Sequence, residues 1–368
     1  MIEMTNQEDP RWVGGVAPPP ELLNANGTQI LELECREQPA CLLRIIDAYQ
    51  SGPAIRAELK TFRELAERPG AVLLAGMGAS YCSAIAASIL LQSHGRLSFT
   101  VDAGEWLHFA RPLVKEIALT MLLTTSGESA ETVELMRSRS DEPVGLLCNN
   151  TASTCWKLGR NNLPILAGPE YGIATKTYAN ATAAAIILAS EMLGIPWEKD
   201  AEAAAESFAA DLDAVFALRA DLESFCRDAA NIEVVGRGAA YGGAIMGALS
   251  IREMSGFRAA AHTGAGFKHG PILDVDGSHV SIIFALGRAA ALAKRLAEDC
   301  NRRGGKVVLI STADHKPTAL LFPVRIGEVP EPWEGITSLL VPQALTLAMV
   351  GRTGSRLAPR FKYGAMVQ

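Results

Sequence analysis

GMGASYCSAI at residues 76–85 returns, 160 residues further on, as GRGAAYGGAI at 236–245. Each copy follows an apolar run, AVLLA (71–75) or IEVV (232–235), and leads into small and apolar residues. That order reads as a buried strand, a tight glycine turn and a helix. The repetition extends further: LLTTSGESAETVELM (122–136) is matched at the same offset by IIFALGRAAALAKRL (282–296), with Gly127 opposite Gly287. Two strand-to-helix junctions sharing one offset mark an internal duplication of an α/β unit.

The bulk properties bound what such a chain does. Its 368 residues suit two domains. An apolar fraction of 49% with a net charge of −6 describes a globular protein without a basic surface for nucleic acid. No uncharged apolar run reaches the roughly 18 residues a membrane span needs. The polar, acidic start MIEMTNQEDP has no look of a secretory leader. The seven cysteines show no Cys-x-x-Cys and no metal-finger spacing, so they read as small buried hydrophobes of a cytoplasmic protein.

Short apolar runs alternate with helical patterns along the rest of the chain. Residues 1–28, with three prolines at 18–20, read as an extended arm, and Thr28 to about Glu67 carries helical spacing. Strands are expected at AVLLAG, LSFTVDA, IALTMLLTT, VGLLCN and LPILAG, then after a long helical stretch at 200–226 in NIEVVG, SIIFAL and KVVLIS. Strands apolar on both faces, alternating with helices, argue a parallel sheet covered on both sides.

The two copies differ in what they offer a ligand. Thr124-Thr125-Ser126-Gly127-Glu128-Ser129 places four hydroxyls around a glycine at the mouth of a helix. Unpaired N–H groups and the helix dipole favour an anion there. The duplicate, Phe284-Ala285-Leu286-Gly287-Arg288-Ala289, keeps the glycine and loses every hydroxyl, and Ser80 becomes Ala240. Serine and threonine at helix starts are usually plain caps; four together, lost together, point to a phosphate nest. A dinucleotide reading of Gly76 and Gly78, with Asp102 as ribose acid, fails at the third glycine, where Tyr81 stands.

GMGASY, LLTTSGESAET, GRG with EMS, and KHGP together resemble the sugar isomerase (SIS) family, in particular the isomerase half of glucosamine-6-phosphate synthase and stand-alone phosphosugar isomerases. The resemblance covers roughly residues 30–368 and includes REQP at 36–39. It implies two tandem SIS domains, each a flavodoxin-like three-layer α/β/α sandwich with a parallel sheet, binding a sugar phosphate between them. The expected domains are an arm (1–28), a first domain (29–198), a connecting helix (199–228), a second domain (229–350) and a tail (351–368) closing over the site. The family's glutaminase half, with its N-terminal cysteine, has no counterpart here, where Ile2 follows Met1.

Carried over position by position, the resemblance assigns phosphate binding to Thr124, Ser126 and Ser129, with Thr125 in place of a family glutamine. Gly78, Ala79 and Ser80 would contact the sugar, Ala79 replacing a threonine. Ala174 and Thr175 belong to ATKTY, which resembles a loop whose backbone faces the sugar. Glu253 matches the glutamate that moves a proton between C1 and C2, and His269 the ring-opening histidine that reaches in from a neighbouring subunit. Lys362 is available in a tail that resembles the family's closing segment, although alignment on the final valine puts Met366 at the lysine position. Ser250 and Met246 replace a family lysine and glutamate. A carboxylate and an imidazole suffice for aldose–ketose exchange without metal or other cofactor. The expectation is a phosphosugar isomerase, or an aminosugar-phosphate isomerase or deaminase, acting as a homodimer. The alternatives are a non-catalytic sugar-phosphate sensor and a deglycase of sugar–amine phosphate adducts.

Overall fold

The computed structural model describes residues 27–110, 116–138 and 142–353. The arm up to residue 26 and the tail from residue 354, with Lys362 and Met366, lie outside the described residues. Two compact units divide between Lys199 and Asp200.

The first unit opens with helices α1 (Gly27–Ser51) and α2 (Pro53–Ala66). The single helical segment expected from Thr28 to Glu67 is therefore two, because Gly52 is extended and Pro53 starts a new helix without needing an N–H partner. There follow β1 (Ala71–Gly76), α3 (Ala79–Ser93), β2 (Ser98–Asp102), α4 (Ala103–Phe109), β3 (Ile117–Thr124), α5 (Ala130–Ser138), β4 (Val144–Cys148), α6 (Thr154–Leu158), β5 (Asn162–Pro164) and α7 (Lys176–Leu193). The strand expected over LPILAG is cut to three residues, since Leu166 adopts φ 58° and leaves the sheet. ATKTY is a loop only to Thr175; Lys176 begins α7.

The second unit follows α8 (Glu198–Ala217), which crosses the division, and holds α9 (Arg219–Cys226), β6 (Asn231–Gly236), α10 (Ala240–Ser255), β7 (Ala259–Thr263), α11 (Gly264–Lys268), β8 (His279–Ala285), α12 (Ala290–Arg302), β9 (Lys306–Ser311), β10 (Leu321–Arg325), α13 (Glu334–Thr337) and α14 (Leu340–Thr353). The long helix expected at 200–226 is broken at Leu218. Two strands escaped the sequence reading: AAAHT in β7 lacks a β-branched apolar run, and β10 contains Pro323, tolerated because that strand is an edge.

Both sheets are parallel and share one order, β2-β1-β3-β4-β5 in the first unit and β7-β6-β8-β9-β10 in the second. The expected α/β fold of two tandem, doubly wound units holds. Central strands β1 and β8 are buried along their whole length, whereas edge strands β2 and β10 are part-exposed. On one face of the first sheet, Leu73, Trp106, Leu122, Leu135 and Leu146 form a core beneath α4, α5 and α6. On the other face lie α3 and α7, and α7 is buried from Lys176 to Ser190, so its small residues pack on every side. All seven cysteines are buried.

This strand order reverses direction between β1 and β3, and again between β6 and β8, which opens a crevice at the carboxyl ends of those strands. The turns quoted at the outset lie there. Gly76 and Gly236 let the following helix press on the strand: a Cβ would fall 2.7 Å from the Ser80 carbonyl carbon and 2.6 Å from the Ala240 carbonyl oxygen, respectively. Neither backbone can yield without moving its helix. Gly76→Ala and Gly236→Ala should each destabilise their own unit by about 1–3 kcal/mol, read as a lowered urea midpoint.

Candidate functional site

The turn after β3 is built by its own hydroxyls. Thr124, buried, accepts the Gly127 N–H on Oγ1 at 3.1 Å, and Ser126 Oγ accepts the Glu128 N–H at 3.2 Å. Both bonds lie within the turn, ahead of the first residue of α5, Ala130. Each of those hydroxyls also has a proton of its own to donate. Gly127 has φ 67°, and a Cβ would collide with Ser153 Oγ, so only glycine fits. The Glu128 carboxylate is taken up by the Thr154 N–H at 2.8 Å. The carbonyl of Ser129 accepts the Val133 N–H at 2.9 Å, opening α5; the first N–H groups of that helix have no partner within it. Thr125, Ser126 and Ser129 are part-exposed.

The turn after β1 adjoins it, because β1 and β3 are neighbours in the sheet. Gly78, exposed, has φ 54°, and Ala79 and Ser80 are part-exposed in the first turn of α3. Asp102 has other work: its Oδ1 accepts the N–H groups of Gly104 and Glu105 at 2.8 and 3.2 Å and caps α4.

The connection from β5 to α7 is held at several points that the sequence reading missed. Asn149, just past β4, donates to the Gly168 carbonyl at 2.8 Å and accepts the Ala167 N–H at 2.9 Å. Arg44 donates to the carbonyl of Leu166 at 3.2 Å, restraining a residue with positive φ. From α1, Glu34 accepts the N–H groups of Tyr171 and Gly172. Glu170 accepts both the N–H and the hydroxyl of Thr175 at 2.9 Å, along with those of Thr177. Thr175 is therefore fully buried with its amide and hydroxyl both committed to Glu170, while Ala174 is part-exposed. Burial, then the charge of Glu170, pushes the Glu34 carboxyl well up; burial also raises Glu170. Burial works against the Lys176 charge, but its contact with Glu37 and the nearby carboxylates hold it above the ordinary lysine value. REQP was the one legible sign of this cluster: its Glu37 pairs with Lys176.

In the second unit the equivalent glycines keep the same backbone, with φ 56° at Gly238 and 46° at Gly287. The contents differ. Glu334, buried at the start of α13, places its carboxyl against Gly287, where a Cβ would collide with it. Arg288 donates from Nε to Glu331 at 2.7 Å. Burial, then the charge of Glu331, pushes the Glu334 carboxyl up to about 8, with Arg288 opposing.

Glu253 is half-buried in the last turn of α10, which ends at Gly256 in the left-handed conformation. Met246 is fully buried on the same helix, and Ser250 donates to its carbonyl at 2.9 Å. Ser250 thus spends its hydroxyl inside the helix. His269, exposed, closes α11. Its segment is anchored by the buried Phe267 before it and turned by Gly270, at φ 142°, before Pro271. Lys268 pairs with Asp299 at 2.7 Å and so ties α11 to α12, while Arg252 and Arg258 are exposed. Among the described residues no cluster of three or more His, Cys, Asp or Glu is arranged to hold a metal ion, and no helix is long and apolar enough to cross a membrane.

Two regions, 64–190 and 226–351, match the SIS domain model, and the chain belongs to the SIS domain family. Among characterised sequences it is similar to glutamine–fructose-6-phosphate aminotransferase (isomerizing) of Thermotoga maritima, 27% identical over 66% of this chain and 42% of the relative. The Brucella abortus enzyme of the same name is 25% identical over 83% of this chain and 53% of the relative. The chain thus spans about half the length of the curated relatives it matches. Among solved structures, the C-terminal domain of glucosamine-fructose-6-phosphate aminotransferase from Francisella tularensis aligns with TM-score 0.77 and 20% identity, over 91% of this chain and 98% of that one. Tagatose-6-phosphate ketose/aldose isomerase of Escherichia coli aligns with TM-score 0.74 and 18% identity, over 92% and 96%. These structural likenesses establish the fold.

The raised Glu334 has a consequence in solution. The folded chain holds a proton there that the unfolded chain releases near pH 4.5, so this group's contribution to stability falls as pH rises from about 4.5 to about 8. Glu334→Gln removes that fall. The melting temperature of the variant should gain on the parent steadily between pH 5 and pH 8 and then level off, as followed by thermal denaturation in a pH series.

Proposed function

We propose that the chain is a phosphosugar isomerase in which Thr124, Ser126 and Ser129 bind the phosphate. The observation that carries this reading is the contrast between the duplicated turns: one has part-exposed hydroxyls at a helix start, the other has none and is met by carboxyls. The names of the relatives, which include isomerizing aminotransferases and a ketose/aldose isomerase, support the same class. Gly78, Ala79, Ser80, Thr125 and the backbone at Ala174 and Thr175 would border the sugar.

In this reading Glu253 removes the proton from C2 of the open-chain aldose phosphate, giving an enediol, and returns it to C1 as the ketose forms. His269 moves the proton that opens the ring, within a homodimer in which it serves the neighbouring subunit. No metal or other cofactor is required for that exchange. An aminosugar phosphate is accommodated by the same proton movement. The chain would work in the cytoplasm. The second reading, a binding protein without turnover, is favoured by one feature: Ser250 stands where the family has a lysine and its hydroxyl is already bonded to the Met246 carbonyl.

Hydrogen bonds to a charged group contribute about 1.5–3 kcal/mol each, so Ser126→Ala with Ser129→Ala should weaken phosphosugar binding by about a hundredfold or more in calorimetry. Incubation of hexose phosphates in heavy water should give enzyme-dependent deuterium at C1 or C2, abolished by Glu253→Gln. Tight binding with no exchange between pH 6 and 9 would establish the sensor reading instead. If His269 serves the neighbouring subunit, mixing inactive Glu253→Gln and His269→Ala chains restores part of the activity; no rescue despite subunit exchange would place each site within one chain.

A further inference from the structure

A polar patch lies inside the second unit, beneath α11, the helix that His269 closes. The strand register puts it there: Val235 of β6 stands opposite His262 of β7, and Asn231 of β6 opposite His279 of β8. Glu233 lies between Asn231 and Val235 on that side of the strand. The three titratable groups therefore share the sheet face that α11 and α12 cover. His262 Nε2 meets Glu233 Oε2 at 2.7 Å. The Phe267 ring, fully buried in α11, has its centroid 5.5 Å from the His262 ring and 6.2 Å from the His279 ring. His279 is 1% exposed, and among the described residues neither of its ring nitrogens has a hydrogen-bond partner. An imidazole so placed is tolerated as a neutral ring and opposed as a cation.

We infer that Glu233, His262 and His279 form a seat for Phe267 that keeps α11, and with it His269, in place only while His279 is neutral. The effect on turnover rests on the isomerase reading of His269; the seat itself does not. Few other restraints act on this five-residue helix. The Thr263 hydroxyl accepts the Gly266 N–H at 3.1 Å, and Lys268 pairs with Asp299 at 2.7 Å, a part-exposed ion pair that contributes little. Burial holds the His279 imidazole below the ordinary histidine value, and His262 adds to that, while Glu233, Asp276 and Asp274 oppose it. Those groups face the ring from β6, β7 and the 271–278 segment; Lys268 of α11 is turned to Asp299 of α12. A proton on His279 finds no acceptor in the closed seat, so it is taken up when α11 lifts and water enters. The open form binds that proton more readily than the closed one. The closed form therefore loses ground as pH falls below about 6.5.

The test reads α11 directly, by hydrogen–deuterium exchange of the full chain with rates corrected for the intrinsic effect of pH. Protection over residues 264–273 should fall about five- to tenfold between pH 7.5 and 5.5, while that of α10 holds, and should return on neutralisation. His279→Leu, which cannot take the proton, should keep its protection constant over the same range. Unchanged protection in the parent, or a fall that persists in His279→Leu, overturns the inference. Should that variant unfold, His279→Gln makes the same comparison and the same two outcomes decide. Turnover tests the link to His269. On hexose phosphates, which must open a ring, kcat of the parent should fall more steeply below pH 6.5 than that of His279→Leu, with KM alike. On a tetrose phosphate, which forms no ring, the two chains should coincide. Equal steepness on hexose phosphates overturns the link. A pH-dependent α11 with no turnover of either substrate supports the seat and overturns the isomerase reading instead.

Discussion

Burial of the central strands on both faces governs the rest of each unit. β1 and β8 expose none of their residues, so neither side of the sheet can carry a polar site, and chemistry is left to the strand ends. Parallel strands place all their carboxyl ends along one edge, and the order 2-1-3-4-5 parts the connections beyond β1 and β3. The close seating of α3 and α10 on their strands, which Gly76 and Gly236 permit, brings the helix starts to that edge. Placement of the hydroxyl turn thus follows from packing of the apolar core, with no contribution from the hydroxyls themselves.

The hydroxyls do shape their own turn. Thr124 and Ser126 each accept an amide N–H of the turn itself. The effect is to hold Gly127 in its left-handed conformation and to leave each hydroxyl as a donor with its oxygen already occupied. A preorganised turn loses little freedom when an anion arrives. The neighbouring connection is fixed in the same spirit, by buried Glu34 and Glu170 accepting from its backbone. Those acids are expensive to bury and are compensated locally by amides, hydroxyls and Lys176.

The second unit shows what the same backbone becomes with other side chains. Its glycines repeat the positive φ values, its strands repeat the order, and its turn has Glu334 against Gly287 and Glu331 bonded to Arg288. In α10 Glu253 is half-buried, and in the segment through His269 the residues Phe267, Gly270 and Pro271 set the path of an exposed imidazole. Position by position, a fold duplication fixes backbones and leaves roles to substitution.

Much of this was written in local pattern. The doubled Gly-x-Gly turn, the apolar runs and the lost hydroxyls revealed the fold, the duplication and the asymmetry, because strand burial and turn geometry act over a few residues. The break at Gly52-Pro53 was also in plain view, although the helical spacing on either side hid it. Other features had no local sign. Glu34 meets Tyr171, Arg44 meets Leu166 and Glu334 meets Gly287 across distances in the chain that no periodicity spans. β7 and β10 are strands by pairing, despite weak propensity and a proline. By itself the sequence determined the architecture and which of its two like turns carries hydroxyls. Only the tertiary structure decided which acids are buried, which hydroxyls are already bonded and which side chains meet the two glycine turns, because those outcomes depend on side chains brought together from separate elements.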